Sequence, residues 1–224
     1  MKEFSWYKLL LFHLLIGLIS THRTWLAPTE RVIGMSSSDL YPHLWGYWRW
    51  HRQRQTGWLE TWSNAEPYLN TPHTGDLYHV DWLNAAIVSI LQSLNIPFLL
   101  SVNCMLTLQW ILLGIGVIAL GQHFKLSRWG MMFSILALDT SMFVQRFVLQ
   151  SGVFERINLG TLCLYLFCLL KVPESNPSKT VKWIIGGVTA FMLTTLGSWH
   201  DSMFLLLASI FIAAWMLVYN RSWN

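Results

Sequence analysis

IPFLLSVNCMLTLQWILLGIGVIAL, residues 96–120, carries no charged side chain over 25 positions. As a helix it would reach ~38 Å, more than the ~30 Å hydrocarbon core of a bilayer. It reads as a clean membrane-spanning helix, and the rest of the chain arranges itself around it. Just upstream, residues 81–94 read as a short helix closed off by Pro97. That piece is too short to cross by itself, so it is expected to lie at the interface or dip into the membrane. Farther upstream is a long polar stretch, residues 22–81, crowded with Trp, Arg, His, Asp and Glu.

The first apolar run, residues 9–20, follows Lys2 and Lys8. The sequence Leu18-Ile19-Ser20-Thr21-His22 offers no small-x-small cleavage site. With Phe4, Trp6 and Tyr7 the run is just long enough to span, so it reads as an uncleaved signal anchor. Downstream, residues 129–148, 157–172, 183–199 and 202–219 read as spans three to six. Asp139 interrupts the third. Pro173 and Pro177 separate the fourth from the fifth, and residues 198–201 turn tightly between the fifth and sixth.

The expected fold is therefore an all-α polytopic membrane protein with about six transmembrane helices and a long helical first outer loop. Its parts are a signal-anchor helix (1–21), an outer loop with interfacial helices (22–95) and a five-helix bundle (96–224). Composition agrees. Hydrophobic residues make up 54% and charged residues only 12%, against about 25% charged in soluble domains. The 14 Trp suit membrane interfaces, where the ring is apolar and the N–H finds a wet partner. The pI of about 9.1 does not indicate nucleic acid, because the basic residues are scattered over loops between apolar runs. Cys104, Cys163 and Cys168 lie inside apolar runs at no zinc or disulfide spacing and read as small buried hydrophobes.

Lysine placement sets the expected orientation. With the N-terminus in the cytoplasm, all six lysines (Lys2, Lys8, Lys125, Lys171, Lys179 and Lys182) fall inside, and both termini are cytoplasmic. Nine of the eleven acids then lie outside or at span depth; only Glu3 and Glu174 are inside. Carboxylates and imidazoles gather on the outer side.

Several outer stretches could carry chemistry. Residues 36–51 begin Ser-Ser-Ser-Asp and continue aromatic-rich, which reads as an amphipathic interfacial helix capped by Ser38 or Asp39. Asp39 and His43 share its face. A carboxylate at a helix N-terminus stays ionised and can act as a general base. The plainer reading makes Asp39 only a cap, and Trp45, Trp48 and Trp50 only an interfacial belt. Arg49, Arg52 and Arg54 suit a phosphate at the membrane surface, or equally lipid head groups. His73, Asp76, His79 and Asp81 could hold a divalent metal, but match no standard zinc spacing; a polar turn entering the next helix is the plainer reading. The outer loop between spans three and four carries Arg146, Glu155 and Arg156, and the last outer turn carries His200 and Asp201. Asp139 is expected to face other helices, because a lipid-facing carboxylate is costly; a structural pair with Arg146, two turns on, is its plain reading.

Four passages resemble the C-type (GT-C) glycosyltransferases, multispanning enzymes that use polyprenyl-phosphate-linked sugars, and in particular bacterial membrane proteins of that kind. Residues 38–48 resemble the Asp-led juxtamembrane helix after span one, and residues 70–84 the return of the loop to the membrane. Residues 151–160 resemble the entry to span four, and residues 196–204 the tight outer hairpin. The resemblance implies a bacterial inner-membrane, cell-envelope location. It places the catalytic base or metal ligand on Asp39 and a second acidic position on Glu155. His43, Arg49, Arg52, Arg54, Asp76, His79, Arg156 and His200 are the candidate substrate-binding residues. Members usually continue through further spans, so the chain is expected to be a piece of a longer protein or a short relative.

The expected function is transfer of a sugar from a polyprenyl-phosphate carrier to an acceptor on the non-cytoplasmic face, with membrane lipid as the other partner. A non-catalytic lipid-carrier binder or scaffold on the same fold is the alternative. A transporter with Asp139 on its path is a third, weakened by the lack of internal repeats.

Overall fold

Eight α-helices and one π-helical segment account for most of the computed structural model, which describes residues 6–34, 40–56, 81–150, 154 and 158–221. The helices are α1 (Trp6–Trp25), α2 (Leu40–Thr56), α3 (Trp82–Ser93), α4 (Phe98–His123), α5 (Arg128–Asp139), α6 (Leu159–Lys171), α7 (Pro177–Gly197) and α8 (Trp199–Arg221). The π-helix, Phe143–Gln150, lies between α5 and α6. No strand occurs among the described residues. The protein is all-helical, and a described helix stands at each of the six expected spans.

Among the described residues, Phe98–His123 and Ser178–Gly197 are long and apolar enough to cross a membrane. Trp82–Ser93, Leu159–Lys171 and His200–Trp215 are apolar but shorter. The 13 residues of α6 reach only ~20 Å, short of the ~30 Å core.

Helix α4 is the hub, packing against α1, α3, α5 and α6. Its register with α1 is antiparallel and advances four residues at a time. Leu9 clusters with Ile118, His13 sits over Gly114, and Gly17 faces Trp110. Four residues is close to one helical turn, so the same stripe of each helix meets the other throughout. Against α5 the same stripe runs parallel: Leu9 clusters with Ile135, and His13 meets Asp139. Between α4 and α6 the backbones nearly touch. A Cβ on Gly116 would lie 2.7 Å from Cys163 Cβ, and one on Gly160 would collide with the backbone of Leu112 and Leu113. Small residues at such crossings let helices approach closely. All three cysteines are free thiols.

The short helix expected over residues 81–94 is α3, with Asp81 as N-cap and Leu94 as C-cap. It lies beside α2 and the first half of α4. Asn103 of α4 pins the turn after α1: its Nδ2 donates to the carbonyls of Pro28 and Arg31, and its Oδ1 accepts from Ile33 N–H.

One expectation is corrected. The third span reads in sequence as a single run over residues 129–148. The chain instead leaves α5 at Asp139, turns at Thr140 and Ser141, and resumes as a π-helix. Asp139 is held in the interior by a partner on α1, and Gln145 folds back to donate to its carbonyl, 2.6 Å away. The side-chain bond replaces the backbone bond lost at the break.

The bundle has two unlike ends. Lys171 donates to Glu174 at 2.8 Å, and His123 lies 3.7 Å from the same carboxylate. This joins the α4–α5 and α6–α7 connections at one end. Lys171 chiefly, with His123 and Lys125, holds the Glu174 carboxyl below its ordinary range. Helix α2 packs at the other end, beside the N-terminal half of α4 and Phe154.

Candidate functional site

Helix α2 starts at Leu40, and Pro42 falls in its first turn, where the missing N–H has no intrahelical acceptor anyway. Leu40, His43, Tyr47 and Trp50 form its buried stripe, at spacings of three and four. His43 is 7% exposed and Tyr47 fully enclosed. The ring of Phe154 lies 5.7 Å from that of His43 and 6.4 Å from that of Tyr47. Leu40 and Phe154 thus belong to one buried cluster with Val88, Met105, Trp110 and Val144.

A polar chain runs through this cluster. Asp81 Oδ1 accepts from Asn84 N–H, capping α3, and Oδ2 accepts from Asn84 Nδ2 and from Tyr47 OH, each at 2.8 Å. Asn84 Oδ1 in turn accepts from Gln109 Nε2 at 2.7 Å. Asp81 is 5% exposed, and Asn84 and Gln109 are fully buried. The direction of the chain is set at one end. An ionised carboxylate only accepts, so Asn84 must turn its NH₂ toward Asp81 and its oxygen toward Gln109. Gln109 is left with its Oε1 buried and without a hydrogen-bond partner. Among the described residues, three donors and a helix N-terminus meet the Asp81 carboxylate, as a charge out of water requires. Asp81 is thus the cap of the helix that the polar stretch was expected to enter; the stretch before it lies outside the described residues. Farther along, His51 Nδ1 lies 3.2 Å from Ser89 Oγ, tying α2 to α3 a second time.

The arginines divide. Arg54 continues the stripe of His43, Tyr47 and Trp50 and is exposed at the helix end. Arg49 lies 4.9 Å over the ring of Trp45, and Arg52 5.1 Å over that of Trp48, on the other side of α2. Each pair is four residues apart, so one helix presents cation and ring together. Trp50 is not part of an interfacial belt: it is 7% exposed and meets Trp82 edge-on at 4.8 Å. Its spacing from Tyr47 turns it inward.

His200 is half-buried in the first turn of α8, next to the buried Asp201, whose N–H donates to Ser198 Oγ. Asp39, Asp76, His79, Glu155 and Arg156 lie outside the described residues, as does His73. No group of three or more His, Cys, Asp or Glu that could hold a metal ion occurs among the described residues.

A second polar cluster lies within the bundle. Asp139 is fully buried and faces other helices, as expected, and it meets His13, 126 positions away; the side chain of Arg146, its expected partner, lies outside the described residues. His13 Nδ1 and Asp139 Oδ2 are 2.8 Å apart. His13 Nε2 donates to the carbonyl of Trp110 at 2.8 Å, and the Trp110 indole N–H returns a longer bond to the carbonyl of His13. The two rings stack at 5.0 Å, 9° from parallel. Because Nε2 must donate, one proton lies between Nδ1 and Oδ2, and the pair carries no net charge whichever atom holds it. The sequence carried a signal here: His13 is the one imidazole inside the first apolar run, and ionisable groups in such runs pair with one another. Asn84, Asn103 and Gln109 were missed for a similar reason, as single amides within apolar stretches.

No family model matches the chain, and no curated protein and no solved structure matches it either.

Proposed function

We propose that the protein is a six-span membrane protein with cytoplasmic termini, acting as a GT-C-like glycosyltransferase on a polyprenyl-phosphate-linked sugar. The observation that carries this is the meeting of two distant stretches. Leu40 and Phe154, the sequence neighbours of Asp39 and Glu155, share one buried cluster, with Phe154 against His43 one turn into α2. Leu40 and Phe154 thus lie at one end of the bundle, away from Lys125, Lys171 and Glu174, and this supports a site that draws on both loops. Exposed apolar side chains on α1, α7 and α8, among them Leu11, Ile185 and Phe211, support a lipid surround.

In this reading Asp39 takes the proton from the acceptor hydroxyl as it attacks the anomeric carbon with inversion. The carrier phosphate leaves, its charge met by Arg54 and the neighbouring Arg49 and Arg52. Preorganised positive charge is what such a leaving group needs. Asp39→Asn keeps the shape and removes the base. In nanodiscs supplied with a polyprenyl-phosphate hexose and an acceptor, it should lower turnover by roughly 10²–10⁴-fold with carrier binding retained. Turnover equal to the parent's would remove Asp39 from the chemistry.

The stacking of Arg49 and Arg52 on Trp45 and Trp48 favours a second reading, a lipid-carrier binder without chemistry. Such a protein would bind the polyprenyl phosphate, lose that binding in Arg52→Ala and turn nothing over.

A further inference from the structure

We propose that His13, Asp139 and Gln145 form a latch. It fixes the π-helical segment to α1, and through that segment sets Val144 and Phe154 against α2. The inference rests on the geometry of the break after α5 and is independent of the glycosyl-transfer reading.

The latch grips one residue twice. The side chain of Asp139 is tied to His13 of α1, and its backbone carbonyl to Gln145 Nε2. The same Gln145 nitrogen lies 3.3 Å from Ser20 Oγ, also on α1. His13 is itself seated without play. Trp110 covers one face of its ring, its Nε2 is bonded to the Trp110 carbonyl, and a Cβ on Gly114 would come within 2.5 Å of its Cδ2. Three elements, α1, α4 and α5, thus fix the point from which the π-helix starts.

The chain beyond the break reaches the α2 site. Val144 is buried in the cluster that holds Leu40 and Tyr47, Leu149 packs against it, and Phe154 meets the rings of His43 and Tyr47. A π-helix carries i→i+5 hydrogen bonds and is rarely longer than one turn, so eight residues of it need outside support. If it relaxed to i→i+4 bonding, each later side chain would point in a new direction, and Phe154 would no longer meet α2. His13, Asp139 and Gln145 are therefore positioning residues; none needs to touch a substrate.

The hydrogen-bond roles predict which variants keep the latch. In Asp139→Asn the amide can donate to His13 Nδ1 while Nε2–H still donates to Trp110, so the grip survives. His13→Leu removes it. Gln145→Ala releases the carbonyl of Asp139 and the contact with Ser20, while leaving the His13–Asp139 pair and the core intact.

The test is pulsed electron paramagnetic resonance on the full chain in nanodiscs. Spin labels replace Tyr41 on α2 and Met142 at the break, both well exposed, with Cys104, Cys163 and Cys168 changed to alanine. The parent and Asp139→Asn should each give one narrow distance. Gln145→Ala and His13→Leu should raise the alternative arrangement above the ~0.1–10% typical of a minor state, to a resolved second distance. Gln145→Ala is the decisive variant, because it leaves the core packed. A Gln145→Ala distribution identical to the parent's overturns the latch, and so does an Asp139→Asn distribution as broad as that of His13→Leu.

Discussion

Replacing Asn84 with Leu should be far more damaging than replacing its neighbour Gln109, although both are fully buried and hydrogen-bonded to each other. Asn84 stands in the middle of the chain from Asp81 to Gln109. Its loss strips one donor from a buried carboxylate and leaves Gln109 Nε2 without an acceptor. An orphaned buried polar group costs about 1–3 kcal/mol, and a lost bond to a charged group about 1.5–3 kcal/mol. Asn84→Leu should therefore cost about 3–5 kcal/mol. Gln109→Leu orphans only the Asn84 oxygen, and it also removes Oε1, which has no partner to lose. Its cost should be about 1–2 kcal/mol. The double variant Asn84→Leu/Gln109→Leu should cost about 2–5 kcal/mol less than the sum of the singles, since neither change then strands the other and both orphaning penalties vanish. At about 2–4 °C per kcal/mol for a chain of this size, thermal unfolding in detergent should separate the singles by roughly 5–10 °C. Strict additivity, or Gln109→Leu proving the more harmful, would refute the direction assigned to the chain.

Other outcomes come from packing and charge. Gly160→Ala drives a methyl into the backbone of α4, which cannot give way, and should cost about 1–3 kcal/mol or more. Gly130→Ala, whose added methyl would meet Ser127 Oγ at an ordinary 3.4 Å, should leave the unfolding midpoint unchanged or slightly higher. Glu174 has its carboxyl lowered by Lys171. Its contribution to stability should be present above the ordinary carboxylate range and lost as pH falls through the lowered value. Glu174→Gln should thus differ from the parent at neutral pH and converge with it in acid; a gap that widens in acid contradicts the pairing. For the six-span orientation, a cysteine at Ser178 should be reached only from the cytoplasmic side and one at Thr56 only from the outer side. Reversed labelling would discard that topology.

How much of this could be read in the chain depended on where the signal lay. Helix α3 was legible almost to the residue, because Asp81 is a good cap and Asn95 to Pro97 ends the helix. The all-helical character came from apolar runs of helical length. The break after Asp139 was not legible, because the apolar run continues beyond it and π-helical bonding has no composition of its own. The partner of Asp139 was hidden by distance. Arg146 was near in sequence, whereas His13 is brought up only by the stacking of α1 on α4. Asp39 and Glu155 were chosen from the GT-C resemblance together with their places at expected membrane boundaries, and lie outside the described residues. The burial of Leu40 and Phe154 beside them depends on packing between segments more than a hundred positions apart, which no local pattern reveals.

The clasp on α1 also implies an order of assembly. His13 leaves the ribosome 97 residues ahead of Trp110 and 126 ahead of Asp139. At ~5–20 residues per second, the first helix waits roughly 5–20 s for its carbonyl acceptor and some seconds more for its carboxyl. During that wait the imidazole has neither partner. The notches at Gly17 and Gly114 let α1 and α4 close on each other as soon as α4 emerges, and α5 then arrives at a groove already formed. A variant that filled either notch would leave α1 a lone hairpin arm when Asp139 is made, and the fault would appear in the nascent protein, as material lost to quality control, before it appeared in any measurement on the finished one.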